Sequence, residues 1–230
     1  MTGHRLTQYR KQGGLTQDKA ARLLGVSQTY LSLLESGERP LTEQLKRKVV
    51  RVFNVELTAL PARMSSYKVL KTSDDQLTSD LATLGYLGFS HWKRSRRKNP
   101  ADVLLSALNA DKRDARLVEA LPWVVFQFPD MEWKSLVMTA KAHDLQNRLG
   151  FVTNVARRMA EKYGNQATAQ KLGSVEAGLE GSKLEKVGTL CNETMTRAER
   201  SWLAQNSPPE AEHWHLLTDL SPQYLDHYDD

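Results

Sequence analysis

The chain has 230 residues, 40% hydrophobic and 26% charged, an ordinary balance for a globular protein of two domains or one domain plus a small module. Its net charge of +5 is unevenly divided: residues 1 to 100 carry 18 Lys or Arg against 8 Asp or Glu, and residues 101 to 230 carry 14 against 19. No apolar run approaches the ~18 residues of a membrane helix, the start MTGHRLTQYRKQ lacks the apolar centre of a signal peptide, and the single Cys191 excludes an internal disulfide or a multi-cysteine zinc site, so the expected location is cytoplasmic.

A first helix is expected from about Arg5 to Gln12, with Leu6 and Tyr9 inward and Gly13-Gly14 as its stop. Thr16 is an N-cap candidate for a short helix, Gln17 to Leu24, which Gly25 ends where a left-handed residue is needed. Val26 can tuck under that turn. Ser27 is a second N-cap and opens another helix, Gln28 to Glu35, which Gly37 closes. Ala21, Leu24, Val26, Leu31 and Leu34 can share one core, with Leu23 at its edge, leaving Gln17, Gln28, Thr29 and Ser32 outward. After the loop Glu38-Arg39-Pro40, Thr42 caps a fourth helix with Leu45, Val49, Val50 and Phe53 inward. Val55, Leu57 and Leu60 form a closing segment that ends at Pro61, so five short helices surround one small core.

Two helices joined at Gly25-Val26-Ser27 make a helix-turn-helix, whose second helix would lie in the major groove of DNA. Its outward small polar and amide groups suit phosphates and base edges. The first 60 or so residues resemble the XRE family of phage-repressor-type regulators through Thr16-Gln17, the Gly25-Val26-Ser27 turn, Leu31, Glu35 and Gly37. The resemblance implies a pair between Arg10 and Glu35, a phosphate-clamping Gln17, and base reading at Gln28, Thr29 and Ser32. Ser27 and Arg39 complete the expected DNA-contacting set. The chain departs from the family at Ala20, where a larger aliphatic is usual, and at Leu33, a position often polar in base-reading relatives; Leu33 could still touch a thymine methyl.

Residues 62 to 73, ARMSSYKVLKTS, look like a linker, followed by a helix from Asp74 to Leu84 with Leu77 and Leu81 inward. GYLGFSHW breaks it and leads into KRSRRKNP, with five basic residues among the six from Lys93 to Lys98. That run reads as a solvated loop before a helix begun by Asn99-Pro100, or as an accessory phosphate contact. Val103, Leu104 and Leu108 mark one helix; Leu117, Val118 and Leu121 mark another, which Pro122 is expected to end. Val124 to Phe128 is a weak strand candidate. Pro129 breaks the chain, Asp130 is an N-cap candidate, and a long helix or helix pair runs to Tyr163, with Gly150 as the place of a bend or division. Shorter helices follow to about Leu203, and Asp219 to Asp230 form an acidic tail.

Signs of chemistry are sparse. The helical pattern opposes the strand-rich self-cleaving peptidase that many phage repressors of this family carry, and there is no phosphate-binding glycine loop. His213-Trp214-His215, with Glu210 and Glu212, lacks the i, i+4 spacing of a helical zinc site. Cys191 reads as a buried small hydrophobe. The expectation is therefore an all-α protein that is not an enzyme and needs no cofactor or metal. It has a DNA-binding domain at residues 1–65, a linker, helix and basic segment at 66–99, and a helical dimerisation or effector domain at 100–230. It would act as a sequence-specific regulator, a repressor that binds a palindromic operator in double-stranded DNA as a homodimer. The helical body would sense a small molecule or bind a protein partner, as in an antitoxin that holds its toxin and autoregulates its promoter. The acidity of the body favours the protein partner.

Overall fold

The computed structural model describes residues 3–59 and 71–222, within two compact units, Met1–Arg63 and Met64–Asp230. The expectations for Leu60, Pro61, most of the 62–73 linker and the end of the acidic tail lie outside the described residues.

The first unit contains α1 (Gly3–Gln12), α2 (Gln17–Leu24), α3 (Gln28–Ser36), α4 (Glu43–Val52) and, in place of the expected fifth helix, a single 3-10 turn, Leu57–Ala59. Local chemistry sets the starts. Thr16, Ser27 and Thr42 each accept the backbone N–H three residues on, at 3.3, 3.1 and 3.3 Å. Gly25 and Gly37 end α2 and α3 with φ of 64° and 83°. The core comprises Leu6, Ala20, Ala21, Leu24, Leu31, Leu34, Leu41, Leu45, Val49, Val50 and Val55, with Tyr9, Val26, Tyr30, Phe53 and Leu57 partly buried against it. Leu23 is 51% exposed and stays outside. Helix α1 begins two residues earlier than expected because Gly3 seats its N-terminus on the end of α3; a Cβ there would lie 2.2 Å from the Leu34 carbonyl oxygen.

The second unit contains α5 (Asp74–Leu84), α6 (Pro100–Leu108), α7 (Ala115–Glu119), α8 (Leu121–Gln127), α9 (Trp133–Ala142), α10 (Gln146–Lys162), α11 (Gln166–Glu180), α12 (Arg197–Asn206) and α13 (Pro209–His213). A two-residue parallel pairing joins β1 (Gly188–Thr189) to β2 (Leu216–Leu217), with Gly188 opposite Leu216. Helix α10 is the centre and packs against α8, α9, α11 and α13. Its Leu149, Phe151, Val152, Val155, Ala156 and Ala160 are fully buried. Two arginines tie loops to this core. Arg148 donates to the carbonyls of Thr189, Leu108 and Ala110. Arg113 donates to those of Thr72 and Ser106 and to Asp74. Helix α5, expected between two domains, packs on α6 and α7 inside this unit.

The structure corrects four sequence expectations. Val124 to Phe128 is not a strand: Val124 to Gln127 belong to α8. Pro122 sits in the first turn of α8, where its missing N–H has no intrahelical role, so it starts a helix rather than ending one. Asp130 does not cap α9; it pairs with Lys171, and Glu132 precedes the helix without a side-chain cap. The break between α9 and α10 falls at His143–Asp144, with Asp144 at φ 56°. Gly150 lies inside α10, where a Cβ would stand 2.3 Å from the Trp214 ring. Cys191 is fully buried, as expected, and burial pushes its thiol up to about 11.

Candidate nucleic-acid interface

Helix α3 divides sharply by face. Leu31 and Leu34 are fully buried, while Gln28, Thr29 and Ser32 are exposed. Gln28 and Ser32 are one helical turn apart, with Thr29 beside them, so they form one contiguous polar surface. Among the described residues, the side chains of Gln28, Thr29, Ser32 and Arg39 make no intramolecular hydrogen bond, which leaves their polar groups to water or a ligand. Ser27 is also exposed, and its hydroxyl oxygen is occupied as the α3 cap by the Tyr30 N–H. Leu33 is half-buried.

A charged cluster fixes α3 relative to α1 and α2. Arg10 grips Glu35 with two donors, Nε to Oε1 at 2.6 Å and a terminal nitrogen to Oε2 at 3.1 Å. Its other terminal nitrogen donates to the Leu15 carbonyl at 2.9 Å, so one guanidinium also holds the loop into α2. Both side chains are nearly buried, 12% and 6% exposed. The hydrogen bond to Glu35 and its charge outweigh desolvation and raise the Arg10 pKa. Burial alone would raise that of Glu35; the bonds from Arg10 and Gln17 and the charges of Arg10 and Lys11 reverse this, so the carboxyl lies below its ordinary value.

The Arg10–Glu35 pair implied by the family resemblance is therefore present. Gln17 differs from the sequence picture of a free outward amide. It is half-buried, and its Nε2 donates to Glu35 Oε2 at 2.8 Å. The other N–H of that amide has no partner among the described residues. Lys48 also borders the turn between α2 and α3. It is exposed on α4, and its Nζ would lie 2.8 Å from a Cβ on Gly25, so the amine sits over the turn between α2 and α3. Only the packing of α4 on α2 brings it there.

Two short capped helices joined by a left-handed glycine, with a polar outer face on the second, define a helix-turn-helix DNA-binding domain. Residues 6–60 match the family model described as helix-turn-helix. No curated protein and no solved structure matches the chain. The domain belongs to the XRE family, and the chain that carries it is a DNA-binding transcriptional regulator. The second unit is mostly helical, and none of its described helices is long and apolar enough to cross a membrane. No group of three or more His, Cys, Asp or Glu among the described residues is arranged to hold a metal. In the His213-Trp214-His215 run, His213 pairs with Glu180, Trp214 is fully buried, and His215 Nδ1 lies 2.8 Å from the Leu184 carbonyl.

Proposed function

We propose that the protein represses transcription by occupying a palindromic operator as a homodimer, with residues 1–65 as the reading head. Gln28, Thr29 and Ser32 read base edges from the N-terminal half of α3, Gln17 and Ser27 bind phosphates, and Arg39 adds a backbone contact beyond the end of α3. The observation that carries this reading is the exposed, unbonded polar face of α3 on a helix locked in place by Arg10, Glu35 and Gln17. A rigid helix keeps a side chain on one base pair, which sequence reading needs.

The roles separate in a binding titration with an operator found by footprinting genomic fragments. Gln28→Ala is expected to reduce discrimination between the operator and a mutated operator by ~1–3 kcal/mol, because it removes a bidentate hydrogen bond to a base. Gln17→Ala is expected to weaken both duplexes about equally, because phosphates carry no sequence and the two Arg10–Glu35 bonds still hold α3 in place. Equal losses from both substitutions on both duplexes would overturn the division of roles. For the second unit we propose assembly and response to a signal. A cleft of about 820 Å³, lined among others by Arg113, Asn192, Met195, Trp202 and Asn206, falls within the ~300–1,000 Å³ of small-molecule sites and supports a sensor. The acidity of residues 101 to 230 supports the alternative, an antitoxin that binds a basic toxin.

A further inference from the structure

The basic run from Lys93 to Lys98 is fixed from within the second unit. Asp80 on α5 has a side chain only 1% exposed, and its carboxylate accepts from three donors. These are Gln76 Nε2 at 2.9 Å, Ser95 Oγ at 2.6 Å and Lys98 Nζ at 2.6 Å. The Ser95 backbone N–H also donates to Thr83 Oγ1 at 2.7 Å. The loop is thus pinned at its middle and at its end. The remaining four basic residues, Lys93, Arg94, Arg96 and Arg97, are exposed and have no carboxylate partner among the described residues.

A loop whose only task is to stay solvated needs no such anchor. Burying a carboxylate is unfavourable unless it is paired and hydrogen-bonded, and here both conditions are met by loop residues. The result is four like charges held close together on an ordered backbone. Ordering in advance lowers the entropy lost on binding a polyanion. The guanidinium forks of three of the four suit phosphate oxygens. Residues 101 to 230 are net acidic, so this loop is where the second unit can meet DNA without repulsion.

We infer that the Lys93–Lys98 loop is a second, sequence-independent contact to the DNA backbone, in which Lys93, Arg94, Arg96 and Arg97 bind phosphates of the duplex that the head engages. This rests on the head's binding of duplex DNA. Because the same chain carries the head, the duplex reaches the loop at a high effective concentration.

The test uses the full chain and a mixed-sequence DNA duplex several helical turns long, with affinity measured as a function of salt. Replacing Lys93, Arg94, Arg96 and Arg97 together by Ala is expected to reduce the slope of log K against log salt by ~0.9 for each phosphate that the loop no longer neutralises. The low-salt affinity is expected to fall about tenfold or more, and circular dichroism should be unchanged because all four side chains are exposed. The variant with Lys at all four positions keeps most of the slope. A variant that matches the wild type in slope and affinity, while the wild type binds the duplex, overturns the loop's role and leaves the head's intact. A wild type that binds no duplex overturns both. Loss of binding to single-stranded RNA with duplex binding unchanged assigns the loop to a different polyanion and overturns the inference as well.

Discussion

Glu35 joins three helices of the head through one side chain. It accepts from Arg10 on α1 twice and from Gln17 on α2 once, and it stands on α3, the helix with the exposed polar face. Its carboxyl ionises below the ordinary range, so the folded head binds that proton more weakly than the unfolded chain does. The stability it contributes is present above the unfolded value of ~4.3 and is lost as pH falls through the lower folded value. Urea unfolding of the head should therefore show a stability that declines with acidification in this window. Glu35→Gln is expected to lower stability at neutral pH by ~1–3 kcal/mol, since Arg10 loses its charged acceptor while nearly buried, and to flatten the acid dependence. In a double-mutant cycle, Arg10→Ala and Glu35→Ala should couple by ~0.5–3 kcal/mol. An absent coupling, or an acid profile identical in Glu35→Gln and wild type, would mean the cluster does not set the position of α3. The pair is legible in the sequence through the family's spacing. The Gln17 bond is not, because nothing local links positions 18 residues apart.

At the scale of elements, the sequence is readable wherever a cap or a left-handed glycine decides the outcome. Helices α2 and α5 run between the residues expected, and α6 starts where Asn99-Pro100 placed it, because each begins at a Thr, Ser or Asn whose side chain accepts a nearby backbone N–H. The polar face of α3 is readable for the same reason: once the helix start is known, the 3.6-residue period assigns its faces. The failures have other causes. Pro122 is a local ambiguity, since a proline suits the first turn of a helix as well as a stop, whereas the strand candidate at Val124–Phe128 and the division expected at Gly150 depend on what packs against the segment. Gly150 shows why, since its neighbour is the ring of Trp214, 64 positions along the chain. Trp214 is fully buried and cannot move aside without a cavity. Gly150→Ala is thus expected to destabilise the second unit by at least ~1–3 kcal/mol, the range for overpacking. All five tryptophans lie between residues 92 and 214, so tryptophan fluorescence follows that unit alone. An unshifted fluorescence transition on denaturation would show that the α10–α13 contact is looser than its geometry implies. In the head, Gly25→Ala must place a Cβ at φ 64° and against Lys48, and a loss of ~1–2 kcal/mol is expected from the left-handed backbone alone.

At the scale of the molecule, the proposed homodimer raises the question of which unit would hold it together. A two-fold operator complex sets two copies of α3 about one DNA turn, ~34 Å, apart, and something must hold two heads at that spacing. The head has few apolar groups to offer: among its described residues, Leu23 is the large hydrophobic side chain left exposed. The second unit exposes Leu87, Trp92, Met138, Val187 and Trp202. It also has an apolar groove between α9 and α11, lined by Trp133, Val137, Ala167 and Val175 among others. Association follows apolar area removed from water, so we propose that the second unit, rather than the head, supplies the interface of the proposed homodimer. The full chain is therefore expected to sediment as a dimer, and a fragment of residues 1–65 as a folded monomer. The fragment should still bind operator DNA, but more weakly, because its engagement of the second half-site is no longer intramolecular. Its salt dependence should also be shallower than that of the full chain, since it lacks the Lys93–Lys98 loop as well as the second head. Sedimentation of both chains at matched concentrations decides between the units. A fragment that dimerises as strongly as the full chain would put the interface in the head, and a monomeric full chain would leave the exposed apolar groups of the second unit to a different partner.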